Sequence, residues 1–176
     1  VGLSTASHPT FWVYLPYSLP PEGKIEFVLK DDQDNIIYET NLSESGVAPG
    51  VVGFQLPEAV SGLKENSRYK WFVSVYCNTD DSLDDPAGAI YVSGWVERVA
   101  LDASLKRELE QATPRQKSRL YANSDIWYEA VTELAKLRRQ NPNDAALKSQ
   151  WDELLQSIGL EGIAAEPITS MLTAKK

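Results

Sequence analysis

Apolar side chains alternate with polar ones at a period of two through the first hundred residues, and recur every third or fourth position beyond Leu101. The chain therefore divides into a strand-rich part, residues 1–100, and a helical part, residues 101–176. Six runs carry the β signal: "FWVYLPY" (Phe11 to Tyr17), "KIEFVLKD" (Lys24 to Asp31), "NIIYETNL" (Asn35 to Leu42), "VVGFQLP" (Val51 to Pro57), "RYKWFVSVYC" (Arg68 to Cys77) and "AIYVSGWVERV" (Ala89 to Val99). All are rich in β-branched or aromatic residues. Pro20-Pro21-Glu22-Gly23, Asp32-Gln33-Asp34-Asn35 and Ala48-Pro49-Gly50 supply turn chemistry between them. Six short strands with no helix in between predict an antiparallel β-sandwich.

One local pattern sharpens this expectation. Leu63 stands six residues ahead of Tyr69, at the entrance to a strand whose Trp71, Val73 and Val75 share the inward face. The spacing is similar to the tyrosine corner of immunoglobulin-like sandwiches, in which the phenol hydroxyl bonds back to preceding backbone. By the same parity Cys77 points inward and reads as a small buried hydrophobe.

The helical part shows three amphipathic stripes: Leu101, Leu105 and Leu109; then Trp127, Ala130, Val131, Leu134 and Leu137; then Leu147, Trp151, Leu154, Leu155 and Ile158. The third starts after Asn143 or Asp144 as cap and stops at Gly159. Three such helices need a partner surface. Phe72, Tyr76, Tyr91 and Trp95 fall on the outward side of their strands, so both faces of that sheet are apolar and the helices are expected to cover it. The fold class predicted is α+β: an immunoglobulin-like antiparallel β-sandwich packed with a C-terminal three-helix segment in one integrated domain. "IWYEAVTELAKLRRQNPND" also resembles the second helix of a tetratricopeptide repeat, but a solenoid needs about three copies and one hairpin is present.

Several words in order, "PTFWVYLPY", "EFVLKDDQDNIIYET", "WFVSVYC", "GWVERV" and "LYANSDIWYEAVTELAKLRRQNPND", resemble a cyanobacterial family catalogued as domain of unknown function 928. The resemblance covers nearly the whole chain. It implies a cyanobacterial source, an export signal ahead of the domain and no established activity, and it carries over no catalytic residue.

Composition narrows the function. A chain of 176 residues with 43% hydrophobic content fits one globular domain and hides about 70% of its unfolded surface, so it needs neither disulfide nor structural metal. The formal charge of −8 repels nucleic acid and anionic membranes, and no apolar run reaches the ~18 residues of a membrane span. The chain begins at Val1 without a leader-like stretch, which suits a mature exported protein or a trimmed chain alike. A periplasmic or secreted location is expected.

Catalytic devices find little material. His8 is the single histidine and precedes the first strand beside Pro9, a poor place for a Ser-His-Asp or Cys-His arrangement. One His and one Cys cannot furnish a zinc site, and Gly46 and Gly50 do not make a phosphate loop. Glu97 beside Arg98 reads as a structural ion pair. The acidic stretch "NTDDSLDDPAG", with Asp80, Asp81, Asp84 and Asp85, offers oxygen ligands but matches no EF-hand spacing, and "DDQD" at Asp31 to Asp34 fails likewise. It reads as a solvated loop, with a weak calcium site as the alternative. No catalytic, cofactor-binding or metal-ligating residue is assigned.

Three functional classes follow. The first is a noncatalytic extracytoplasmic module that binds or assembles with another protein. The second is a carbohydrate-binding module with Trp12, Tyr14 and Tyr17 as stacking rings. The third, ranked last, is an enzyme using paired carboxylates.

Overall fold

A computed structural model of the chain describes residues 1–42, 47–77 and 90–174. Within them run β1 (Gly2–Ser4), β2 (Thr10–Leu15), β3 (Lys24–Asp31), β4 (Ile36–Asn41), β5 (Gly50–Gln55), β6 (Ser67–Tyr76) and β7 (Ile90–Arg98). Then follow α1 (Ala103–Gln111), α2 (Pro114–Asn123), α3 (Trp127–Gln140), α4 (Ala145–Gln156), a 3-10 turn at Glu161–Ile163 and β8 (Ile168–Leu172). The six expected strands correspond to β2 through β7.

The strands form two sheets, one ordered β1-β7-β6-β3-β4 and the other β2-β5-β8. Here the structure corrects the expectation of a purely antiparallel arrangement. β1 lies parallel to β7 and β8 parallel to β5, so both sheets are mixed. Only β3 and β4 are joined by a short turn that forces them antiparallel; β1 and β8 are linked to their neighbours through long intervals of chain, which leave either direction open. Both are short, and neither "GLS" nor "ITSML" shows clean alternation.

Alternation sets the core. In β3 Ile25, Phe27 and Leu29 are fully buried while Glu26, Val28 and Lys30 face the other way. A single cluster joins these to Phe11 and Leu15 of β2, Val52 and Phe54 of β5, Tyr69 and Trp71 of β6, and Val96 of β7, so side chains of both sheets meet in it. Phe27 lies 4.9 Å from Phe11 and 4.8 Å from Phe54, centroid to centroid, in tilted ring contacts. The backbone amide of Lys64 donates to the Tyr69 hydroxyl at 3.1 Å, the bond back to preceding backbone that the Leu63–Tyr69 spacing predicts.

Four helices are present among the described residues, not three. α2 lacks an apolar stripe and was not expected, yet its start is strongly marked. Thr113 caps it, Pro114 opens it, and Gln116 returns a bond to the Thr113 amide in a capping box. Its buried Ser118 donates to the Ala130 carbonyl at 2.8 Å and holds α2 against α3. The part from residue 101 onward is also not wholly helical, because β8 returns to the smaller sheet.

The helices do not cover the face carrying Phe72, Tyr91 and Trp95. Their own cluster, centred on Leu134, Trp151 and Leu155, packs instead on Trp12 of β2 and Ile168 of β8, on the smaller sheet. Trp12 Nε1 donates to Thr132 Oγ1 at 2.9 Å. The smaller sheet is thus apolar on both sides, Phe11 turning into the shared cluster and Trp12 toward α3. At the flank Tyr128 of α3 enters the main cluster, accepts from Trp71 Nε1 at 2.7 Å and donates to the Trp95 carbonyl at 3.1 Å. Two glycines make the room. A Cβ at Gly94 would stand 2.5 Å from the Trp71 ring, and one at Gly2 would stand 2.7 Å from that of Tyr128.

Removing the phenol oxygen leaves the buried Trp71 N–H without an acceptor. Tyr128→Phe is expected to cost about 1–3 kcal/mol in urea unfolding with an unchanged m value, whereas Ser93→Ala on the open face shifts stability by less than about 0.5 kcal/mol.

Candidate functional site

The face left open by the helices is built from three adjacent strands. Cross-strand pairing sets Trp95 of β7 beside Lys70 of β6 and Lys30 of β3; one step along, Ser93 pairs with Phe72 and Val28, and then Tyr91 with Ser74 and Glu26. Three rings and two lysines therefore share one surface. Tyr91 is 67% exposed and Trp95 38%, while Phe72 is half-buried. Lys70 Nζ sits 4.9 Å from the Phe72 centroid and 5.8 Å from that of Trp95, and Lys30 Nζ lies 5.6 Å from Phe72. The lysine stems shield part of the rings while the ammonium groups gain from the π faces. Tyr76, on the same side, is buried. Burial, and then Glu39, raise the Glu26 carboxyl above its usual range, with Lys24 opposing.

Where β2 stops at Leu15, β6 and β7 continue beyond the smaller sheet. Their inward side chains, Val73, Val75 and Val92, then line an apolar cleft of about 130 Å³ with Leu15, Tyr17 and Leu19. Cys77 also lines it, but is exposed rather than buried as its parity suggested. Alternation gives its direction correctly; the strand has outrun the layer that would have covered it.

His8, Glu97 and the Asp31–Asp34 stretch make structural contacts. His8 Nε2 contacts the Val60 carbonyl at 2.9 Å, while Nδ1 faces both Ser7 Oγ at 2.9 Å and Glu58 at 3.3 Å. A catalytic triad needs hydroxyl and carboxylate on opposite ring nitrogens, so this group ties two loops together instead. Glu97 pairs with Arg68 across the strands at 2.7 Å and not with Arg98, because neighbours on a strand point to opposite faces. Arg98 reaches Glu65 at 3.5 Å. Asp31 accepts from the backbone of Gln33 and Asn35, 2.9 Å each, and from the Asn35 side chain, which leads in lowering its carboxyl pKa; "DDQD" is a hairpin turn. Of the proposed sugar-stacking rings, Trp12 lies against α3, while Tyr17 is 77% exposed. All of "NTDDSLDDPAG" lies outside the described residues. Among those residues no three of His, Cys, Asp and Glu converge on a metal position, and no helix is long and apolar enough to cross a membrane.

Glu129, which sequence reasoning passed over, is a partly buried carboxylate with three donors around it. It accepts from Ser4 Oγ at 2.6 Å and from the amides of Thr5 and Ala6 at 3.3 and 3.2 Å, pinning the β1–β2 loop to the first turn of α3. Its signal was an acid in the first turn of a helix, which alone says nothing of the loop it holds. Burial pushes its pKa up, against the pull of these donors.

Among the described residues the architecture is thus α+β, two mixed sheets with four helices, with ring-bearing sheet surface left outside the helical cover. The chain belongs to the family described as Domain of Unknown Function (DUF928), whose model matches residues 1–168. No curated protein matches it.

A raised carboxyl pKa means that the folded state holds the proton more tightly than the unfolded state. Glu129 therefore favours folding most below the unfolded pKa, about 4.3, and that contribution is lost as pH rises through the folded value. The stability of the wild type relative to Glu129→Gln is expected to decline between pH 4 and pH 7 in parallel urea titrations, with a flat difference as the contrary result.

Proposed function

We propose that this chain is a noncatalytic protein-binding or assembly module that works outside the cytoplasm, periplasmic or secreted. The observation that carries this reading is the ring surface of Phe72, Tyr91 and Trp95, which stands on rigid strands and outside the helical cover. Exposed aromatic clusters of this kind mark partner surfaces more often than they decorate a surface idly. Lys30 and Lys70 give the patch a local positive character within a chain of net charge −8, which favours a partner with an acidic rim around an apolar centre.

We read the scaffold as an immunoglobulin-like sandwich acting as one domain with its helices. The shared cluster of both sheets, the Lys64–Tyr69 bond and the insertion of Tyr128 into that cluster support this reading. A carbohydrate-binding module is the second reading, and the exposure of Tyr17 and Tyr91 favours it. An enzyme with paired carboxylates has the least support. Glu26 and Glu39 are close enough to interact, but they lie on open sheet rather than in a cleft.

Photocrosslinking from the native cell envelope tests the proposal. A photoreactive amino acid at Tyr91 is expected to yield a discrete protein adduct, reduced at least tenfold by Phe72→Ala, while the same group at Arg119 on α2 yields none. Adducts of equal strength at both positions count against the face, and binding on a glycan array that is abolished by Tyr17→Ala selects the carbohydrate reading.

A further inference from the structure

β1 pairs with β7 only at Val96, Glu97 and Arg98. Beyond that point Tyr128 takes the Trp95 carbonyl. Among the described residues no strand pairs with Ile90–Gly94 on the side away from β6, although β6 pairs with them throughout. Every second residue of this stretch turns its N–H and C=O groups to that open side.

Sheet edges are usually blunted by charges, proline or bulges. The opposite edge of the same sheet follows this rule: β4 carries Glu39, and its pairing with β3 shifts register after Leu29. "IYVSG" has no charge and no proline, and its ladder with β6 has no shift. It is apolar on both sides, too. Ile90 and Tyr91 are each 67% exposed and Val92 46%. The cleft of about 130 Å³ adjoins Ile90 and Val92 on the inward side, with room for about one large apolar side chain, and Tyr91 lies on the outward side.

We infer that Ile90–Gly94 of β7 receives an extended segment of a partner protein as an added strand, in the track that β1 leaves open. The backbone groups that have no partner among the described residues select the occupant. An acyl chain or a sugar could cover the side chains, but only another strand satisfies the row of backbone groups while filling the cleft with alternate side chains. The segment called for is apolar at every second position, one such residue entering the cleft beside Val92. This inference rests on the reading of the adjoining ring face as a partner surface, and adds how the partner is held.

Amide hydrogen exchange followed by NMR on the full chain tests it. The probe is a blocked decapeptide of alternating Val and Thr with Glu at each end. Saturating probe is expected to slow exchange at least tenfold at the outward amides of Ile90–Gly94, and the same peptide N-methylated at alternate residues to have no such effect. Equal protection by the N-methylated peptide, or none by either, overturns the inference. So does slow exchange of these amides in the chain alone: if sedimentation then gives a monomer the edge is already paired, and if it gives a dimer the occupant is a second copy. Decanoate perturbing the cleft where the peptide does not assigns the site to an aliphatic ligand and likewise overturns it. Failure of the exchange test with the Tyr91 crosslink intact removes only the strand mode, whereas loss of the crosslink removes the partner surface itself.

Discussion

The hydroxyl of Tyr128 joins three parts of the molecule at one buried point. It receives the indole proton of Trp71, gives its own to the carbonyl of Trp95, and is carried by a helix whose far side packs on the other sheet. Burial pushes its pKa up to about 12, with the Trp71 bond opposing, so it stays a neutral donor and acceptor at physiological pH. A polar junction in an apolar cluster has few alternatives, because each group left without a partner pays its desolvation in full. The first turn of α3 is thereby tied to both β6 and β7, while its own cluster packs on the smaller sheet.

That placement explains why an aromatic surface stays outside the helical cover. The helices dock on Trp12 and Ile168, on the outer side of the smaller sheet, and so take up the apolar face that this sheet turns away from the shared cluster. The larger sheet handles its outer side differently, laying Lys30 and Lys70 over Phe72, with Lys70 also over part of Trp95, and leaving Tyr91 to solvent. One problem, a sheet apolar on both faces, thus has two solutions in one chain: a helical layer, and a thin cover of long cationic side chains.

Much of the framework was legible in the sequence. Period-two alternation marked β2 through β7, and the Leu63–Tyr69 spacing gave the bond to Lys64. Legibility failed wherever the deciding contact was tertiary. β1 and β8 are stabilised by what they pair with rather than by their own residues, and α2 is declared by its cap instead of a stripe. The destination of the helices could not be read because Trp12 and Trp95 look alike in one dimension; which ring is covered is decided by long-range packing of α3 and α4 on Trp12. Cys77 failed for a related reason, since parity gives direction but not the reach of the opposing layer. Glu129 was invisible because its partners, Ser4 to Ala6, lie more than a hundred residues away.

The parallel seating of β8 on β5 has a consequence for how the chain is made. β5 leaves the ribosome more than a hundred residues before the strand that completes its sheet. Until then β2 and β5 are a two-stranded ribbon, too slight to persist alone in water. The smaller sheet is therefore complete only once β8, which follows the helices in the chain, is available to pair, and the long interval between β5 and β8 adds to the chain entropy that this pairing must overcome.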